Sequence, residues 1–537
     1  MELQLGATDI RLDEFGIPFA EINVKVSFNS FTELSWSQDP KDQHERSVWK
    51  LASVLWDPMP SVPAYGDSSS ELDRYVQKKR RKELLSQLLE ELVEKDADRH
   101  AQSASTIEEA AFAHLSAHRI EQACAVLFEG GDYRLATLLP MLGGDKSVRR
   151  RIGKQLEHWR NKGVLSEISI PVRSLYELIA GETCFSEGTK GPAEDAVPSF
   201  FIAQHFGLDW KRVLGLKLWY GCFEEEGITN LVQNYEDDFS RHPNQVFRPK
   251  PWYLNVHDNG EDVLDILWGL LRVYADEDLP LEEVLQPVSI GPNKIDYRLS
   301  WQLRTILAAR GVRDFAGTKA EQTTTDFAGG LENAGLWEWA LFVVMHIQDA
   351  DARGAAIKNL IGRHVDVIED GGKLDFLEKI LRIPRSWIYE AKALQARHAG
   401  DHLQEAEYLI SATAWTEAHK TILTQVAPEA IISGNLDKLR KILGKFGETV
   451  QPEGWGLGGH VYLDFIRLRE LERTSSPKHH SERREVARRL LGTLKNMERK
   501  AFLQNIAVRE MAGIVGSFVL KQDDMVGSIS QSSIHRY

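Results

Sequence analysis

A chain of 537 residues exceeds what one round core fills, so several modules are expected. An apolar share of 42% with 27% charged residues fits a globular protein, while a net charge of −14 excludes a general nucleic-acid coat, which needs a basic face. Three cysteines, Cys124, Cys184 and Cys222, lie far apart with no CxxC pair; this excludes a disulfide framework and a cysteine zinc site and suits a reducing compartment.

In chain order, "MELQLGATDIRLDEF" has no basic region followed by an apolar core, so no secretory signal is read there and a nuclear or cytosolic place is expected. "FAEINVKVSF" alternates from Ile22 to Phe28, which predicts a strand within an extended segment 1–42. From about Gln43 the pattern turns helical. "HERSVWKLASVLWDP" sets Trp49, Ala52 and Trp56 on one face and stops at Pro58. A long helix follows over 71–95, then short ones near 107–117, 119–129, 132–142 and 146–162, with Gly130-Gly131, Gly143-Gly144 and Gly163 at their ends. Loops are predicted at 181–199, 240–251, 447–459 and 473–482, and 521–537, lacking apolar periodicity, is predicted to be disordered. No stretch reaches the roughly 18 apolar residues of a membrane span. Helix after helix with short connections and no fixed repeat length predicts an all-α, irregular α-solenoid.

The motifs that carry chemistry elsewhere lack their context here. "GWGLGG" has the GxGxxG spacing (Gly454, Gly456, Gly459) but no strand before it and no βαβ unit around it. "HLSAH" sets His114 and His118 one helical turn apart, but Leu115 stands where a zinc protease needs glutamate, so two surface histidines are the better reading. "SPKHHSER" reads as a solvated loop rather than a metal tract. No metal or cofactor is expected. Lys78, Lys79, Arg80, Arg81 and Lys82 form an import signal, a patch that meets phosphates or, as the favoured reading, a solvated face balanced by Glu83, Glu90 and Glu91. "VRRRIGK" (148–154) has the same ambiguity, beside an apolar stripe of Val148, Ile152, Leu156 and Trp159. Core is the default for that stripe; Val148, Ile152 and Trp159 are its candidate partner-binding residues.

"GLWEWALFVVMHI" (335–347) sets Trp337 and Trp339 around Glu338, as an acid/base or sugar site would. On a helix of about 3.6 residues per turn the two rings point about 200° apart and cannot clamp one ligand. Leu336, Ala340, Val343 and Ile347 line one face, Trp337, Leu341 and Val344 a second, and Trp339 with Phe342 a third. A helix apolar nearly all round is a buried one. An all-α carbohydrate-active enzyme built on Glu338 is the remote alternative, and it requires an accessible Glu338 with a second carboxylate near it.

"LENAGLWEWALFVVMHI" (331–347) resembles a stretch of the nucleoporin 96 family, the C-terminal half of nucleoporin 145 in fungi. "HLSAHRIEQACAVLFEGGDYRLATLL" (114–139), "LDWKRVLGLKLWY" (208–220), "IDYRLSWQL" (295–303), "LRIPRSWIYEAKAL" (381–394), "AWTEAHKTILTQVAPEAIISGNLDKLRKIL" (414–443) and "GGHVYLDFIRLRELE" (458–472) resemble it in the same order. The resemblance runs from about residue 1 to about 475. It implies the ancestral coatomer element: first trunk helices (43–105), a crown (106–255), returning trunk helices (256–412) and a tail (413–520). It also implies a non-enzymatic scaffold of the Y-shaped coat of the nuclear pore. The crown would pair with a nucleoporin 107/84-type subunit and the tail with 160/120-type and 85-type subunits. Candidate faces are helices 119–162 and 483–520. A vesicle-coat rod like that of the COPII coat is the alternative. A WD-repeat propeller shared with that coat would take an insertion blade ahead of the helices; the resemblance starts just after the blade, so the main propeller contact is expected to be missing from 1–537. Direct contact with membrane or nucleic acid is not expected.

Overall fold

The computed structural model describes residues 1–23, 25–59, 69–190, 196–242, 245–254, 263–312, 317–368, 372–447, 451–473, 480–497 and 501–534, with backbone alone at 69–72 and 521–534. The fold is helical almost throughout, as the sequence predicts. It divides into two compact units, one of Met1–Asp9 with Glu21–Gly335, the other of Ile10–Ala20 with Leu336–Tyr537.

In the first unit, Asp39 caps the helix Pro40–Trp56 by accepting the Lys41 N–H, and proline at the first position presets the turn. Val48, Trp49, Ala52 and Leu55 recur at helical spacing and are all buried. The Trp49 ring stacks on Phe31 at 4.3 Å. The long helix Ser69–Ser103 buries Leu85, Leu88, Leu89, Val93 and Ala97 along one stripe. Short helices follow at Ile107–Leu115, Ile120–Glu129, Tyr133–Leu138 and Lys146–Asn161. Later helices of this unit, Ile266–Ala275 and Arg298–Ala309, return to the early helix: Arg298 grips Glu45 at 2.7 Å, Arg310 meets Asp57 at 3.1 Å, and Tyr274 lies edge-on to Trp56 at 6.2 Å. One core cluster thus joins residues from Ile22 to Leu307.

Tight helix-to-helix turns reuse one device. Gly131 (φ +87°) takes the left-handed conformation and Asp132 then accepts the Leu135 N–H at 3.0 Å; Gly400 (φ +77°) and Asp401, with Gln404, repeat it. Glycine tolerates that φ without a Cβ clash, and aspartate satisfies an otherwise orphan donor at the next helix start.

In the second unit, strands Thr8–Leu12 and Pro18–Ile22 form a hairpin whose residues 10–20 belong here. Its Ala20 N–H donates to the Met345 carbonyl at 3.0 Å. A second core cluster runs from Ala393 to Val515, over the helices from Arg385–Ala399 to Phe502–Ile534.

Several elements differ from the sequence reading. Segment 1–42, expected to be extended, carries the helices Glu2–Gly6 and Asn29–Thr32 and the start of Pro40–Trp56. The strand ends at Ile22, because the Asn23 side chain captures the Lys25 N–H at 3.0 Å and turns the chain; Val26 and Phe28 are buried without being strand. The 181–199 loop carries a small antiparallel pair, Phe185–Ser186 with Phe200–Phe201. The last helix extends through Ile534, where a structureless tail from 521 was expected; no proline interrupts that stretch, and helical hydrogen bonds need no apolar partner. Most of the expected loop 473–482 lies outside the described residues.

Candidate interaction surfaces

The tryptophan stretch forms the eight-residue helix Trp337–Val344. Trp337 is buried and stacks on His364 at 5.1 Å, whereas Trp339 turns to Phe342 and Phe376. The two rings therefore meet different neighbours. Leu336 departs from its expected buried face: it precedes the helix and is exposed. Glu338 is 17% exposed and its partner is a cation, Lys373 Nζ at 2.8 Å. Among the described residues no second carboxylate is paired with it, as two-carboxylate chemistry requires. His346, sealed in the core beyond this helix, is pushed down to about 4 by burial.

The other motifs resolve into packing. The helix Ile107–Leu115 ends before His118, which takes φ +62°, so His114 and His118 do not share a helix face. His118 stacks on Trp219 at 5.0 Å and its Nδ1 lies 2.7 Å from Glu90. Among the described residues no group of three His, Cys, Asp or Glu side chains is placed to hold a metal ion. In "GWGLGG", a Cβ on Gly459 would lie 2.4 Å from the Trp455 ring and one on Gly458 2.8 Å from His419. These glycines let aromatic rings close on the backbone. The basic run is not one solvated face: Lys79 pairs with Glu224 at 2.6 Å, Arg81 donates to the carbonyls of Val54 and Asp57, and Lys82 donates to that of Phe223. Its expected balancing acids are engaged elsewhere, Glu91 by Lys50 and Glu90 by His118.

In the expected crown, Val148, Ile152 and Trp159 turn inward. All three are half-buried against the first core, and Trp159 sits edge-on to Tyr176 at 4.8 Å. Arg149 between them is buried and donates to the carbonyls of Gly144, Gly221 and Cys222. Nearby, Ser186 Oγ links Arg173 to Glu177 through two 2.6 Å bonds and ties the small strand pair to the helix Ile170–Ala180. Burial raises the Glu177 carboxyl above the usual range, with Ser186 and Arg160 opposing the shift.

The apolar side chains left facing solvent are different ones. Phe128 is 63% exposed and Tyr133 59%, packed edge-to-face at 5.1 Å, with Met141 and Val164 also exposed. Sequence reading missed this pair, although a signal existed. Ala123 and Leu127 set the buried stripe of their helix, and Phe128 falls about 100° beyond it. In the expected tail Leu491, Phe502, Leu503, Ile506 and Leu520 are exposed.

One buried acid sets a pH dependence. Asp265 is fully buried; Oδ1 caps the next helix by accepting the Leu267 N–H at 2.8 Å, while Oδ2 has no hydrogen-bond partner among the described residues. Burial pushes its pKa up to about 7, opposed by Lys211 and the Leu267 hydrogen bond and reinforced by Asp209. The folded state therefore holds a proton that the unfolded state releases near pH 4, and the resulting stabilisation is lost as pH rises from about 4 to about 7. Asp265→Asn should flatten that slope and melt higher than the parent at pH 8. Parallel slopes in melting scans from pH 4.5 to 8 would refute it.

A family model, nuclear protein 96 (Nup96), matches residues 109–395, more than half of the chain. The chain belongs to the Nup96 family. It is similar to nucleoporin nup189 of Schizosaccharomyces pombe, 33% identical over 88% of this chain and 26% of that protein. It is also similar to nuclear pore complex protein Nup98-Nup96 of Drosophila melanogaster, 30% identical over 80% of this chain and 22% of that one. Nucleoporin NUP145 of Chaetomium thermophilum is 32% identical over 73% of this chain and 19% of its own length. The chain thus spans about a quarter or less of these relatives. As a Nup96-type nucleoporin it is a protein of the nuclear pore and nuclear envelope. Among the described residues no helix is long and apolar enough to cross a membrane.

Proposed function

We propose that this chain is a non-enzymatic scaffold subunit of the Y-shaped coat. Its crown joins a nucleoporin 107/84-type subunit, its tail joins 160/120-type and 85-type subunits, and the assembly supports nucleocytoplasmic transport. The observation that carries the crown assignment is the exposed Phe128–Tyr133 pair. Aromatic side chains of this kind bury roughly 150–250 Å² each, and about 25 cal/mol per Å² of apolar burial makes them natural anchors of an interface once association costs are met. Because Val148, Ile152 and Trp159 pack against the core, their role in this proposal is to hold the helix Lys146–Asn161 in place behind that face. The exposed tail residues Phe502, Leu503 and Ile506 offer the second face.

The test is a binding titration of the full chain with a purified 107-type subunit. Phe128→Glu/Tyr133→Glu should weaken binding by about 100-fold or more, the loss expected from two central aromatic anchors, while leaving the melting temperature and the tail contacts unchanged. Unaltered affinity in the double variant would remove this face from the account.

A further inference from the structure

We infer that the outer face of the helix Lys146–Asn161 is an electrostatic docking face for a short acidic segment of a partner protein. Residues 146–162 hold seven lysines and arginines against one glutamate, a local charge of +6 in a chain of −14, which leaves −20 on the rest. Three of these cations are already engaged: Lys146 lies 5.0 Å from the centre of the Phe223 ring, Arg149 points inward, and Arg160 reaches Glu177 at 3.5 Å and Glu187 at 3.7 Å. Arg150, Arg151, Lys154 and Lys162 are exposed, and no ion pair holds any of them among the described residues. His158 is exposed too, and Glu157 is the single acid within the helix itself, while Glu182 and Glu187 border the cleft beside Arg150. This contrasts with the run Lys78–Lys82, where three of five side chains are tied down.

The occupant follows from what the face lacks and from what surrounds it. The apolar residues of this helix, Val148, Ile152, Leu156 and Trp159, all pack inward, so no side chain is left to insert into lipid or to stack on a base. From Arg150 to Lys162 the face is about 18 Å long. A nucleic acid or a membrane surface extends well past that, beyond a Debye length of about 8–10 Å, and the rest of the chain, at −20, offers it no net attraction. A segment of about 12 helical residues ends where the positive charge ends. Arginine favours carboxylates further, through bidentate pairing.

The experiment measures fluorescence anisotropy of a labelled Glu/Ala helical peptide of about 14 residues against the full chain, at low and at physiological salt. The parent should bind it in a salt-sensitive manner. Arg150→Glu/Arg151→Glu/Lys154→Glu should weaken it at least about tenfold, while Lys78→Glu/Arg80→Glu, a reversal of equal kind on the other basic run, should leave it within about twofold. Circular dichroism checks the fold, and should the triple variant fail to fold, Lys154→Glu and Arg150→Gln provide the comparison. Equal loss in both sets of variants, or tighter binding of a matched single-stranded RNA or of phosphatidylserine vesicles than of the peptide, would overturn the inference.

Discussion

Replacing Arg353 with alanine is expected to destabilise the second unit by about 3–5 kcal/mol, the range for breaking a buried, hydrogen-bonded charge. Arg353 is 2% exposed. Its Nε donates to the Pro18 carbonyl at 3.0 Å and its Nη1 to the carbonyls of Ile347 and Gln348 at 2.7 and 3.1 Å. Its Nη2 pairs with Asp13, and the guanidinium lies 4.8 Å from the centre of the Phe19 ring. One side chain thus pins the hairpin to the chain after the helix Trp337–Val344, and truncation strands three carbonyls at once and takes the cation from Asp13, which keeps the N–H groups of Phe15 and Ile17. Arg353→Lys should recover only a minor part, since an ammonium cannot match the planar fork. Urea unfolding, with limited proteolysis reporting on the hairpin, measures the effect; a loss below about 1 kcal/mol, small for a buried pair, would show that the hairpin is held by other means.

The second large effect is expected at Trp49. Trp49→Ala should cost the first unit about 3–5 kcal/mol, because truncating a fully buried tryptophan removes apolar transfer energy and leaves a cavity that helix packing only partly closes. Trp49 is 1% exposed, stacked on Phe31 and within 6.3 Å of Phe28, so it fastens the 26–32 segment onto the helix Pro40–Trp56. Its indole N–H approaches Glu45 Oε1 at 3.4 Å, and Glu45 is itself held by Arg298. Trp49→Phe should restore more than half of the lost stability. A denaturation midpoint close to the parent's for the alanine variant would contradict this packing.

Trp49 and Arg353 mark what can and cannot be read from sequence. The Trp49 helix is legible because its signals are local, apolar residues at helical spacing and a proline after its end; its start at Pro40, inside the segment expected to be extended, is not read from them. The glycine-and-aspartate turns at 131–132 and 400–401 are legible for the same reason. Arg353 is not, since its partners Asp13 and Pro18 lie more than 330 residues away in the chain. Periodicity also carries no information on which polar groups meet, so the Glu338–Lys373 pair and the orphan oxygen of Asp265 appear only in the fold. The candidate partner-facing residues show the same limit. Val148, Ile152 and Trp159 form the clearer stripe on paper, but a clean stripe is the mark of a residue set that packs against its own core. Phe128 and Tyr133, which break the local pattern, are the ones left in solvent. The strand predicted over 22–28 fails because alternation is indifferent to a side chain such as Asn23 that caps and turns the backbone.

The central claim is that this chain works as a coat scaffold of the nuclear pore rather than as a vesicle-coat rod. Imaging a fluorescently tagged copy in living cells tests it most directly. A continuous nuclear rim is the predicted result; concentration at endoplasmic-reticulum exit sites would contradict it.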